Sequence, residues 1–225
     1  MRSVSLFAKR TVAVQGIETI YRVYAPRDAE GPLPAILFLH GAGESGSDGL
    51  LQTTVGIGPA IEREPERFPA LVVFPQASRG YGWRGFNLAA AEAALDDVEA
   101  HYAVDAERVS VTGISMGGYG TWLLALQSPG RFAAAVPVCG GLDRAAMMTH
   151  AQAARRLATL PQWVFHGDAD PIIPVGESRA MVSALEAAGA PVRYTEYAGV
   201  QHNSWDRAYA EPQLMPWLLR MERRR

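Results

Sequence analysis

The sequence has almost no lysine and almost no cysteine. Lys9 is the only lysine, so 20 of the 21 basic residues are arginines. Cys139 is the only cysteine, which excludes an internal disulfide and any multi-cysteine zinc or iron–sulfur site. A lone cysteine of this kind reads first as a small buried apolar residue. No apolar run approaches the roughly 18–20 residues of a membrane-spanning helix. A basic excess is missing too. The formal net charge is −2 and the isoelectric point about 6.2, which argues against a broad nucleic-acid-binding surface. The opening residues, MRSVSLFAKRTVAVQG, lack an apolar core of signal-peptide length followed by a small-residue cleavage site. A cytoplasmic protein is therefore expected, unless the chain is an already trimmed secreted form. The final RMERRR reads as a solvated helix end, where cations are favoured.

What remains has the profile of a soluble globular chain: 48% hydrophobic and 20% charged over 225 residues. Neither an internal repeat nor a linker breaks it, so one domain over residues 1–225 is expected. Strand-like and helix-like stretches alternate, as in α/β domains. Residues 11–15 and 17–24, separated by Gly16, predict an opening hairpin. Short apolar runs at 35–39, 71–74, 108–112, 134–138 and 162–165 lack alternation, which fits parallel strands covered on both faces. Residues 192–197 predict the last strand. Leu88, Ala91, Leu95, Val98 and Tyr102 form one helical stripe, and Met181, Leu185 and Ala188 form another that Gly189 ends. Residues 116–127 predict a helix after a strand and a glycine turn, and residues 213–224 a closing helix with Trp217, Leu218 and Met221 inward. The sum is a doubly wound, mostly parallel sheet with an N-terminal antiparallel hairpin. Ligands in such sheets bind beyond the carboxyl ends of the strands.

Chemistry gathers at those ends. Gly113-Ile114-Ser115-Met116-Gly117 is a G-x-S-x-G turn between a strand and a helix, the setting that lifts a serine clear of its neighbours. A serine alcohol is a weak nucleophile and needs a base. Of the downstream histidines, His150 lies in a helix with no acid nearby, which leaves His166 and His202. His202 follows the last strand, where a base following an acid in chain order belongs, and is favoured. The acid should follow the penultimate strand. There Asp168 and Asp170 compete, and Asp170, further out and fixed by Pro171, is favoured over Asp168 as a turn cap. Two backbone N–H groups should hold the oxyanion. Met116 is one; the other is Ala42, with Gly41 or Gly43 as alternatives, in the small-residue loop after residues 35–39. His40 is expected to order that loop. Gly41, Glu44, Trp83 and Trp205 are candidates for lining the substrate cleft, with loop ordering or ordinary packing as the competing readings. Tyr119 and Trp122 are expected in the core.

The segments LHGAGESG, VGIGPAI, VVFPQ, GISMGGYGTW, HGDADPIIP and QHNSWDRAY resemble an α/β-hydrolase-fold serine esterase. The likeness is to a bacterial carboxylesterase or predicted-peptidase group near the phospholipase/carboxylesterase, dienelactone hydrolase and feruloyl esterase families. It implies Ser115 as nucleophile, Asp170 as acid, His202 as base and Ala42 as the oxyanion-loop position. Dienelactone hydrolases usually carry cysteine as nucleophile, and Ser115 departs from that. The stretch between residues 138 and 162 is too short for a sizeable cap domain. The expected activity is hydrolysis of short-chain or small aryl esters through an acyl-enzyme. A feruloyl-type esterase, a peptidase and a non-catalytic binding protein are the alternatives. No cofactor or metal is expected, since the five histidines show no H-x-x-x-H pair. The expected partner is a small-molecule ester, with no nucleic acid or membrane; the oligomeric state is left open.

Overall fold

A computed structural model describes residues 6–27 and 31–223. Residues 1–5 of the opening segment, and Arg224 and Arg225 of the arginine-rich end, lie outside the described residues. The strands are β1 (Phe7–Val14), β2 (Ile17–Tyr24), β3 (Leu33–Leu39), β4 (Leu71–Pro75), β5 (Val104–Ile114), β6 (Ala134–Val138), β7 (Gln162–Gly167) and β8 (Val192–Tyr197). The helices are α1 (Ile57–Arg63), α2 (Phe86–His101), α3 (Met116–Gln127), α4 (His150–Arg156), α5 (Gly176–Ala187), α6 (Trp205–Ala210) and α7 (Leu214–Leu218). One sheet holds all eight strands in the order β1-β2-β4-β3-β5-β6-β7-β8. β3 to β8 run parallel, while β1 pairs with β2 and β2 with β4 antiparallel. This is the α/β-hydrolase arrangement that the resemblance implies.

Strand alternation builds two cores. Ile36 and Phe38 of β3 point to one face, where they meet Phe74, Ile57 and Tyr209 beneath α1, α6 and α7. Ala35, Leu37 and Leu39 point to the other, against Leu88, Leu95, Leu123 and Leu124 of α2 and α3. A third cluster joins α3 to α4 and α5 around Trp122, Val164 and Met181. α3 is packed from two directions, so nine of its 12 residues are buried and it shows no clean polar stripe. The hairpin turns at Gln15-Gly16 with φ of 51° and 80°, the two positive angles of a type I′ turn. It is tied to α2 by Arg10, whose guanidinium donates to Asp97 at 2.8 Å.

Three sequence expectations need correction. β1 begins at Phe7, whose ring packs edge-on at 5.2 Å from Phe74. β5 extends well beyond 108–112 because its polar start reaches Leu33, with a register shift before Ala35. The closing helix is not continuous from 213 to 224. α7 stops at Leu218, since Arg223 leaves the helix line to donate its N–H to the Glu107 carbonyl at 2.7 Å and to pair with its carboxylate at 3.1 Å. The basic end is therefore stitched to β5 at Arg223. Between β6 and β7 the described chain has only a short 3-10 turn and α4, with no large cap. No described helix is long and apolar enough to cross a membrane.

Candidate active site

β5 ends at Ile114, and the chain reverses at once into α3. Ser115 sits on that corner with φ 53° and ψ −117°, a costly conformation for a residue with a side chain. The glycines around it are dictated by contact. A Cβ on Gly113 would lie 2.3 Å from the Gly117 carbonyl oxygen, and one on Gly117 1.8 Å from that of Leu39. The corner is pinned by the Ser115 N–H, which donates to the Val138 carbonyl at 3.0 Å.

The structure brings Ser115, His202 and Asp170 into one hydrogen-bonded chain. Ser115 Oγ lies 2.9 Å from His202 Nε2, and His202 Nδ1 lies 2.7 Å from Asp170 Oδ2. The serine hydroxyl can donate to Nε2 only if the imidazole carries its proton on Nδ1, and Asp170 is placed to hold that tautomer. The other carboxylate oxygen of Asp170 accepts from the backbone N–H groups of Ile172 at 2.8 Å and Ile173 at 2.9 Å. Burial pushes this carboxyl upward. The bonds from His202, Ile173 and Ile172 outweigh burial and hold it below the usual carboxylate range. Asp168 points elsewhere and accepts from the Gly199 N–H at 2.7 Å. Trp205 stands edge-on to His202, ring centres 5.2 Å apart, and braces the imidazole while its other side packs into the core.

His166 lies against the acid rather than the serine. Fully buried, its Nε2 lies 3.0 Å from the Ile173 carbonyl and 3.3 Å from Asp170 Oδ2, and its Nδ1 2.7 Å from Ser178 Oγ. Burial keeps its pKa below the ordinary imidazole value. The sequence marked His166 only as a rival base. Its contact with Asp170 has the i,i+4 spacing of His166 and Asp170 as its one sequence signal.

Ala42 opens a short 3-10 turn (Ala42–Glu44) and Met116 opens α3, so both carry first-turn N–H groups without an intrahelical partner. Both line one groove of about 510 Å³ with Gly43, Arg79, Gly80 and Gly82. His40 orders this loop from below: its Nδ1–H donates to the Gly41 carbonyl at 2.6 Å, and its Nε2 accepts the Ala77 N–H at 2.9 Å. Glu44 is half-buried, and a Cβ on Gly41 would lie 3.0 Å from its carboxylate and 3.8 Å from Ser115 Cβ. Burial raises the Glu44 pKa against opposing backbone bonds from Glu44 and Gly41. Its carboxylate thus holds the loop where Gly41 abuts Ser115.

Trp83 does not wall the cleft. It is 2% exposed, and its indole N–H donates to the His40 carbonyl at 2.9 Å, so it props the loop from the core. Trp122 is core as expected and donates to Gln162 at 2.7 Å, whereas Tyr119 is only half-buried. Sequence reasoning missed Gln76, whose amide donates to the Glu44 carbonyl at 3.0 Å and accepts the Gly49 N–H at 2.7 Å. It also missed the fork of Arg84 on Asp143, with contacts of 2.8–3.1 Å.

Among the described residues, one group has ligand atoms close enough to hold a metal: Cys139, Asp170 and His202, within 4.8 Å of one another. Asp170 and His202 already bond each other. Burial pushes the Cys139 thiol up to about 12, so it is a poor thiolate ligand at neutral pH.

A family model described as "Dienelactone hydrolase family" matches residues 66–211, a span containing Ser115, Asp170 and His202. The chain belongs to the dienelactone hydrolase family. This family member is similar to a solved thermostable esterase, with 33% identity and a TM-score of 0.87 over 97% of this chain and 64% of that one. A solved ferulic acid esterase shares the fold at 19% identity and a TM-score of 0.73, over 95% of this chain and 98% of that one. A protein of Arthroderma benhamiae described as an uncharacterized secreted protein is 26% identical over 205 residues, 78% of this chain. The chain spans 22% of that curated relative's length.

Proposed function

We propose that the chain is a serine carboxylesterase acting on small carboxylic esters through an acyl-enzyme. The observation that carries this is the Ser115–His202–Asp170 chain at 2.9 and 2.7 Å beside two free first-turn amides. His202 Nε2 takes the Ser115 proton as Oγ attacks the ester carbonyl. The Met116 and Ala42 amides receive the oxyanion, and Asp170 stabilises the imidazolium that forms. The imidazolium gives its proton to the leaving alkoxide, and the alcohol departs. A water then attacks the acyl-enzyme with His202 as base, and Ser115 recovers its proton as the acid is released. Family membership and the likeness to a thermostable esterase support the same class.

The test is turnover of p-nitrophenyl acetate and butyrate by the wild type and Ser115→Ala, with fluorophosphonate labelling of Ser115. Retained activity in Ser115→Ala refutes the mechanism, and failure to label revives a non-catalytic hydrolase-fold binder. The same triad could serve aryl esters or peptides. Rates on hydroxycinnamoyl esters and aminoacyl amides, measured against the alkyl esters, decide among them.

A further inference from the structure

The large apolar side chains that stand in solvent are not scattered. Among the described residues they are Ile17, Leu50, Leu51, Tyr81, Met147 and Ile172. Leu50 and Leu51 follow β3, Tyr81 follows β4, Met147 follows β6 and Ile172 follows β7. Ile17 opens β2, which runs antiparallel to β4 with Tyr21 opposite Pro75, so Ile17 emerges at the same edge. All six lie at the edge of the sheet that carries Ser115.

Two of them share a groove. Ile17, Tyr81 and Phe86, with Arg84 and Asn87, line a depression of about 540 Å³. It shares Gly80 with the groove over the Ala42 and Met116 amides. Tyr81 stands on the divide between Gly80 and Gly82, both at positive φ (86° and 61°). A Cβ on Gly82 would lie 3.9 Å from the Met116 sulfur, so the divide abuts the residue after the serine. The Asn87 amide and the Arg84 guanidinium of the depression are already engaged. Asn87 accepts from the Ser78 N–H and donates to the Ser78 and Gly82 carbonyls, and Arg84 is forked on Asp143. Its exposed apolar side chains are Ile17, at 56%, and Tyr81, at 74%.

Sheet order says which arm of an ester would reach it. The alkoxide must take its proton from His202, after β8, so the alcohol leaves on the β6–β8 side of Ser115. The depression lies on the opposite side, beyond β3, adjoining the groove over the Ala42 and Met116 amides, so of the two arms it is the acyl one that is left to extend past those amides toward it. We propose that the Ile17–Tyr81–Phe86 groove is the distal half of the acyl site and takes an apolar acyl arm longer than butyrate. This rests on the esterase reading above.

The test is kcat/KM for p-nitrophenyl acetate, butyrate, hexanoate and octanoate, in the wild type and in Ile17→Ser, Tyr81→Ser and the double variant. Both side chains are exposed, and an unchanged Tm checks folding. In the wild type kcat/KM should keep rising past butyrate, by about fourfold per methylene while the chain gains contact. In the double variant the octanoate-to-acetate ratio should fall by about tenfold or more. A ratio unchanged by the double variant, or a wild-type rate that drops from butyrate to octanoate, overturns the groove assignment while leaving the esterase reading intact. If no ester is turned over and Ser115 resists fluorophosphonate, the esterase reading falls and the groove assignment falls with it.

Discussion

On the β5–β8 side of the sheet, the loops carrying Ser115, Asp170 and His202 are held chiefly by backbone. Asp170 is fixed by two amides, Ala169 N–H reaches the Val200 carbonyl, and Gly113 and Gly117 allow main chain to touch main chain. On the β2–β4 side, the loops around Ala42 and Tyr81 are held by single polar side chains: His40, Gln76, Trp83 and Asn87. The contrast follows the work each half is proposed to do. A reacting triad tolerates errors of only about half an ångström, and glycine-lined backbone contacts define position without rotamer freedom. The surface around Tyr81 needs shape, and side chains that buttress it can be exchanged without moving the strands, whereas the proposed oxyanion donor Ala42 relies on His40 and Gln76 for its placement.

The largest expected effects fall on the triad half. Ser115→Ala should lower kcat by about a millionfold, down to what the oxyanion amides and binding supply alone. Asp170→Asn keeps the shape but offers an amide that favours the wrong tautomer of His202, and should cost about ten-thousandfold. Asp168→Asn, which retains an acceptor for Gly199, should leave most of the activity. Steady-state rates on p-nitrophenyl butyrate for the three variants check this order. If Asp168→Asn proved as damaging as Asp170→Asn, the division of labour between the two aspartates would be wrong.

Each half also hides a neutral histidine, and here the comparison becomes one of stability. Burial holds His40 at about 4 against 6.5 in the unfolded chain, opposed by its bond to Gly41 and the charge of Asp48. The unfolded state therefore binds the proton first as pH falls. His40's contribution is complete above about pH 6.5 and is lost on the way down to about pH 4, by on the order of 3 kcal/mol. Protonation also removes the lone pair that accepts the Ala77 N–H. His166, lowered by burial too, works in the same direction on the other half. Urea midpoints from pH 7 to pH 4 should fall steeply in the wild type and less steeply in His40→Asn. An unchanged slope in that variant would place the whole pH response on the triad half.

The same division explains what the sequence made legible. The parallel strands read as short apolar runs because both faces are covered, and the G-x-S-x-G turn reads because backbone crowding admits nothing larger than glycine at Gly113 and Gly117. His202 and Asp170 could be named because chain order and strand ends constrain where they lie. The buttresses could not. Gln76 and Asn87 are isolated polar residues with no period; Gln76 meets Glu44 and Gly49 only once β3 and β4 pair, and Asn87 meets Ser78 and Gly82 only once the loop after β4 closes on itself. Trp83, beside glycines in a loop, looked like a cleft wall, yet Gly120 leaves the space into which it folds; a Cβ there would lie 2.6 Å from the Trp83 Cβ. α1 went unread because Gly56, Gly58 and Pro59 mask the spacing of Ile57, Ala60 and Ile61.

The smallest predicted effect tests a side-chain fork that crosses between the halves. Arg84, after β4, grips Asp143, after β6, with contacts of 2.8–3.1 Å. Asp143 is nearly buried, while the Arg84 side chain is 55% exposed, so solvent screens much of the attraction. Asp143 also accepts the Ala145 N–H at 2.7 Å as the cap of the following 3-10 turn. Arg84→Met should therefore cost about 1 kcal/mol and Asp143→Ala about 2 kcal/mol, because the aspartate loses a cap as well as a partner. In the double variant the two costs should fall short of adding by about 0.5–1 kcal/mol, the part they share. Urea denaturation of the four proteins at low and at molar salt measures it. Coupling that survives molar salt would mean that packing joins the halves; coupling that vanishes would mean that charge does, leaving each half to hold its own loops.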